Sequence, residues 1–197
     1  MAPSRREQQR LETRQRLFNA AIEIFRRDGV ADSSIEDIVR SVGVSRGTFY
    51  FHFPTKEAVL EQLLIESEAE FAAAVQAVPA DATIEVVLEA TAEAMALRWS
   101  PDPALWTEVA LVALRSTADQ LKRGETVGVR ERLGERFRTA ATRGEVSTLV
   151  DAQSLADFYL ASAFAVAISW STIQPMPLHV ALKGAAFLFL NGVKSPS

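Results

Sequence analysis

The chain has 197 residues, 48% of them apolar, with 9 glycines, 8 prolines, no cysteine and a formal net charge of −4. That balance predicts a mostly helical globular protein with a substantial core. It excludes disulfides, thiolate metal sites, a cysteine nucleophile and a uniformly basic nucleic-acid binder.

Charge is unevenly spread. Residues 1–57 carry ten Lys/Arg against eight Asp/Glu, whereas residues 58–197 carry eleven against seventeen. Residues 1–27 alone hold seven Arg against three Glu. A locally positive end suits contact with an anionic polymer; a solvated helix start accounts for it equally well. The opening stretch MAPSRREQQRLETRQR has no apolar core and does not read as a secretory signal. The most apolar run, residues 158–168, is too short to span a bilayer, so a cytoplasmic protein with no membrane partner is expected.

In chain order, the spacing predicts a first helix over residues 10–28, with Leu17, Phe18, Ala21, Ile22, Ile24 and Phe25 as its apolar stripe and Gly29 at its end. Ser34 reads as the N-cap of a second helix, with Asp37 three residues on to accept from exposed amides. Ile35, Ile38, Val39 and Val42 follow the i, i+3, i+4, i+7 pattern. Gly43 then supplies the left-handed residue of a sharp turn. Ser45 caps a short third helix to about Phe51, with Val44 and Phe49 placed as a hydrophobic staple. Pro54 breaks it, and Thr55 caps a longer helix to about Val78. Further helices are predicted over residues 83–99, 104–118, 128–143, 153–173 and 178–193, separated by Pro- or Gly-containing breaks. The expectation is about nine helices and no sheet.

Two helices meeting at a tight glycine turn form the unit that sets its second helix in a major groove. Gly47 stands in the first turn of that helix, where it costs about 1 kcal/mol relative to alanine. Something must approach the backbone there, either a nucleic-acid strand or another packed helix. Arg46 can fork onto guanine, and the Ser45 and Thr48 hydroxyls can reach bases or phosphates. His52 lies near the other end. Tyr50 carries a hydroxyl that needs a polar partner, whereas Phe49 and Phe53 read as core. Lys56 falls at the first position of the fourth helix, where a cation opposes the macrodipole; a phosphate there would be held by the ammonium and the free amides together.

Residues 10–71 resemble the N-terminal domain of TetR-type transcriptional regulators. The matching features are Ala20-Ala21, Phe25 and Gly29; the run Ser34-Ile35-Glu36-Asp37-Ile38; the run from Gly43 to Phe53; and Lys56-Glu57. Val39 departs from the pattern, which favours a small alanine there. The resemblance implies an all-α fold with a three-helix DNA-binding domain over residues 10–70 and a helical effector-binding and dimerisation domain over residues 71–197. It implies a repressor that binds a palindromic operator in double-stranded DNA. Ser45 to His52 would form the recognition helix, with Arg46, Thr48 and His52 as base readers; Tyr50 and Lys56 would hold phosphates, Ser34 would start the second helix near the backbone, and Thr13 with the basic N-terminal arm would add phosphate contacts. It implies a homodimer, with no cofactor, released by a small-molecule effector.

Past Phe71 no motif is evident. The last two predicted helices are the most apolar and rich in small residues, which suits either a core or a homodimer contact. Met95, Trp99, Trp106, Phe137, Tyr159, Phe164 and Trp170 are candidates for lining an apolar effector pocket, although each taken singly reads first as plain core packing. Arg115, Gln120 or His179 are candidate polar groups in it. The mixed charges over residues 130–138 read as a solvated helix face. An enzyme is disfavoured: the two histidines stand apart from any metal-ligand spacing, and no phosphate loop or serine-nucleophile motif occurs. The competing class is a helical protein-interaction scaffold without DNA binding.

Overall fold

The computed structural model describes residues 4–123 and 128–193, in which nine helices and no strand occur. Helix α1 spans Arg5–Asp28, α2 Ile35–Val42, α3 Arg46–His52, α4 Glu57–Ala77, α5 Ile84–Trp99, α6 Pro103–Arg123, α7 Val129–Thr142, α8 Ala152–Ile173 and α9 Leu178–Val193. The side chains of residues 116–123 lie outside the described ones.

The chain divides into two compact units, Met1–Leu63 and Leu64–Ser197, with the boundary inside α4. In the first, α1 buries Leu17, Ala21, Ile22 and Phe25, the stripe its spacing predicts. It starts at Arg5, five residues earlier than apolar periodicity indicates, because Ser4 caps it by accepting from the Glu7 amide. That first stretch has no apolar stripe to betray it. Ile38, Val39 and Val42 of α2 are buried, so the Val39 departure is absorbed within the core. Gly43 closes α2 at φ 75°, a left-handed conformation glycine adopts without a Cβ penalty. Ser45 then caps α3 by accepting from the Thr48 amide at 3.1 Å. Phe49 and Phe53 are fully buried, their rings 5.9 Å apart, and they fix α3 to its unit.

The α2 cap differs from expectation. Ser34 is the N-cap residue but makes no side-chain cap bond; its hydroxyl donates to Glu36, while Asp37 pairs with Arg40.

In the second unit α8 packs against α6, α7 and α9, and α5 against α7 and α9. By length and composition alone, the 22-residue α8 is long and apolar enough to cross a bilayer, contrary to the shorter run read from sequence. Its Leu155, Tyr159, Ala163 and Trp170 are instead buried in the bundle, and its Asp157 is ion-paired. The Trp99 indole donates to Ser171 Oγ at 2.7 Å, and the Tyr159 hydroxyl to the Leu88 carbonyl at 2.9 Å, so these aromatic groups satisfy their polar atoms internally.

Candidate nucleic-acid interface and bundle cavity

Helix α3 has two unlike faces. Phe49 turns inward, while Ser45, Arg46, Gly47, Tyr50 and Phe51 are exposed, with Thr48 and His52 half-buried. Six of the seven α3 residues, with the Ser45 cap, therefore present a nearly continuous set of donors, acceptors and aromatic edges on one small element. Arg46 pairs with Glu36 at the start of α2, an exposed carboxylate that another acceptor can replace. Glu36 sits below its usual carboxylate range, first because of a backbone hydrogen bond, then because of Ser34 and Arg46. Ser45 and Thr48 hydroxyls share a hydrogen bond of 2.9 Å.

Gly47 answers the question posed by its helix cost. A Cβ built there meets only Ser45 Oγ, at 3.6 Å, which is ordinary contact. Among the described residues, no packed helix requires the missing side chain, and the space beside Gly47 is open.

The arginines of α1 are partly used within the unit. Arg14 donates to the His52 carbonyl and stacks 4.3 Å over the Phe53 ring; Arg16 donates to the Val42 carbonyl at 2.6 Å. Cations are thus set at the carbonyl ends of α3 and α2, where the macrodipole favours them. Arg5, Arg6 and Arg10 remain exposed. Thr13 is half-buried and donates back to the Gln9 carbonyl. Burial, then Arg14 and Arg10, holds the His52 imidazole below its ordinary value.

Lys56 is not the first residue of α4, which begins at Glu57. Its ammonium donates to the carbonyls of Val30 at 2.6 Å, Ala31 at 2.9 Å and Ser33 at 3.1 Å. All three N–H groups are committed to the turn between α1 and α2, so a phosphate must displace one of them. The reason is geometric: that turn leaves a row of its own carbonyls facing the Lys56 ammonium. Sequence reasoning passed over Phe51, which is 71% exposed and meets the His52 ring edge-on at 5.1 Å. Its signal was available, since a third aromatic in a short amphipathic helix cannot share the face of Phe49 and Phe53.

In the second unit a cavity of about 70 Å³ lies among α4, α6, α7 and α8. Of the seven expected lining residues, Trp106 and Phe164 line it. Met95, Trp99, Phe137 and Tyr159 are buried without lining it, Trp99 packing behind Trp106 and Phe164, and Trp170 lines a shallow groove with Ile173 and Pro175. Arg115 is exposed and folds onto the Leu111 carbonyl, His179 is exposed, and the Gln120 side chain lies outside the described ones. The polar wall is made instead by Glu68, Arg130 and Asp157.

The solvated face expected over residues 130–138 therefore fails at its first member. Arg130 is 5% exposed, and its Nε and Nη2 grip Asp157 at 2.8 and 2.7 Å. Gln153 steadies Asp157 by donating to Oδ1 at 3.3 Å, in space a side chain at Gly134 would fill. Burial pushes the Glu68 carboxyl above its ordinary range, opposed by the charge of Arg130.

A short capped helix projecting from a helix-turn-helix, with its polar side chains outward, defines a DNA-binding regulator. Residues 17–63 match the family model for bacterial regulatory proteins of the tetR family. The chain is 31% identical over 142 residues to the HTH-type transcriptional regulator UidR of Escherichia coli strain K12, covering 68% of this chain and 69% of UidR. It is 44% identical over 55 residues to the HTH-type transcriptional regulator EthR of Mycolicibacterium smegmatis, 26% of this chain and 25% of EthR. Among solved structures, the transcriptional regulator FadR from Bacillus subtilis, in complex with stearoyl-CoA, superposes with a TM-score of 0.70 at 19% identity, covering 90% of this chain and 98% of that one; this likeness is one of fold. The chain belongs to the TetR family and is a DNA-binding transcriptional regulator.

Proposed function

We propose that this regulator is a cytoplasmic repressor, not an enzyme, that binds a palindromic operator as a homodimer and leaves it when a small molecule occupies the C-terminal bundle. Residues 10–70 are assigned to DNA and 71–197 to effector and dimer. The observation that carries the DNA assignment is the outward face of α3 with open space above Gly47. Arg46, Thr48 and His52 read bases, joined by Phe51, whose exposed ring suits a thymine methyl. Tyr50, Ser34, Ser45 and Thr13 lie toward phosphates, and Lys56 shapes the turn that presents them.

The last two helices support the dimer. Phe158 and Ile173 of α8 and Phe187 and Leu188 of α9 are large, apolar and exposed. A protein-interaction scaffold would use the same surface, but leaves the polar face of α3 without a role. Effector release requires a ligand with different affinity for the two operator-binding states. FadR was solved with an acyl-CoA, which supports small-molecule sensing in this fold.

The test is selection of bound duplexes from a random pool by the purified full chain. An inverted repeat with half-sites one helical turn apart, roughly 34–36 Å, is expected. Arg46→Ala should relax preference at one position per half-site about tenfold or more. Recovery of unenriched sequence would overturn the proposal.

A further inference from the structure

The cavity has one feature its apolar lining does not explain. Arg130 uses Nε and Nη2 on Asp157, but Nη1 is buried and meets no hydrogen-bond partner among the described residues. A buried guanidinium N–H left unmade costs substantially, because its water has been removed without replacement. Arg130 lines the same cavity as Trp106, Phe164, Phe71 and Val109. An unmet donor on the polar wall of a mostly apolar chamber is a specification for a ligand with one acceptor.

Charge restricts that acceptor further. Asp157 already matches the charge of Arg130 through a forked pair. Glu68, half-buried on the same wall, adds a second carboxyl, raised by burial. A ligand carboxylate would bring another negative charge into a chamber whose positive charge is spent. A ligand ammonium has no lone pair to receive Nη1. We propose that the cavity takes an uncharged molecule with a compact apolar body and one carbonyl or similar oxygen, seated so that this oxygen accepts from Arg130 Nη1.

This inference rests on the reading of the bundle as the effector-binding part. Size adds a consequence. The cavity, at about 70 Å³, is smaller than the roughly 150 Å³ that admits benzene in an apolar core. Ligand entry must therefore displace part of the wall, which includes Glu68 and Phe71 of α4 and the exposed rim residues Leu114 and Ala161. A ligand that selects the displaced arrangement has the differential affinity that release from DNA requires.

The test uses three probes of one shape: pentanamide, pentanoate and pentylammonium, titrated into the full chain by NMR. Two variants accompany it. Ala161→Trp plugs the rim at an exposed helix position. Arg130→Met with Asp157→Met removes donor and counter-ion together, an exchange the fold tolerates better than loss of one partner. Pentanamide is expected to bind about tenfold or more tighter than either charged probe, to be blocked by Ala161→Trp, and to lose about tenfold in the double variant, the worth of one charge-assisted hydrogen bond. If Ala161→Trp blocks binding but a charged probe binds as well as the amide, the ligand class is wrong while the cavity stands as the effector site. If no probe binds at millimolar concentration, or binding survives the plug, the cavity is not the effector site and this proposal falls, while operator selection from the random pool tests the regulator reading separately.

Discussion

Replacing Gly47 by alanine separates what the fold wants from what DNA wants. Gly47 is the second residue of α3, and a Cβ there meets nothing closer than Ser45 Oγ at 3.6 Å. The protein itself gains from the methyl, because alanine is worth about 0.5–1 kcal/mol over glycine in a helix and restricts the unfolded chain. For a chain of this size that corresponds to a rise in Tm of roughly 1–4 °C. The same methyl stands in the outward space assigned to a DNA strand. Operator affinity should fall at least about tenfold, with the salt dependence unchanged because no charge is altered. Calorimetry and fluorescence anisotropy on the selected operator read the two effects. A Gly47→Ala protein with operator affinity within twofold of the parent would remove the DNA explanation for this glycine. A lowered Tm would show that the fold needed it after all.

Lys56→Met should lower Tm, since three carbonyls at the α1–α2 turn lose their donor, and should leave the slope of log affinity against log salt unchanged; a slope reduced by about one, with Tm intact, would make Lys56 a phosphate contact instead. His52 is held below its ordinary value of about 6.5, chiefly by burial and then by Arg14 and Arg10. The unfolded chain therefore takes up this proton first, and stability should decline as pH drops below about 6.5 until the folded imidazole also protonates; denaturant midpoints across pH 5–8 should lose that decline in His52→Asn, and an unchanged profile would refute it. Tyr159→Phe removes the buried hydrogen bond to Leu88 and should cost about 1 kcal/mol by urea unfolding, with operator affinity retained. Burial raises its phenol above the ordinary range, so its tyrosinate absorbance should appear in base only with unfolding.

The helix-turn-helix was legible because its information is local. A cap, a left-handed glycine, a staple and an apolar repeat all act within one or two turns of chain, and each leaves a residue type at a fixed spacing. Ser45, Gly43, Phe49 and Phe53 stand as their spacing requires. The same locality marked Arg46, Thr48 and Tyr50 as residues without a core position. It failed where charge hid the pattern, at the start of α1, and where a side chain had a choice of partners, as at Ser34.

What lay beyond the sequence depends on residues brought together from afar. Nothing in the neighbourhood of Lys56 foretells the three carbonyls, more than twenty residues upstream, that its ammonium meets. Arg130 looked solvated because its burial rests on Asp157, on another helix. Aromatic residues in a helical bundle are apolar whether they fill a core or wall a cavity, so composition cannot divide Trp106 and Phe164 from Phe137 and Tyr159. Spacing along one chain determined the helix-turn-helix; only the meeting of four helices decided where the bundle keeps a cavity and which guanidinium nitrogen is left without a partner among the described residues.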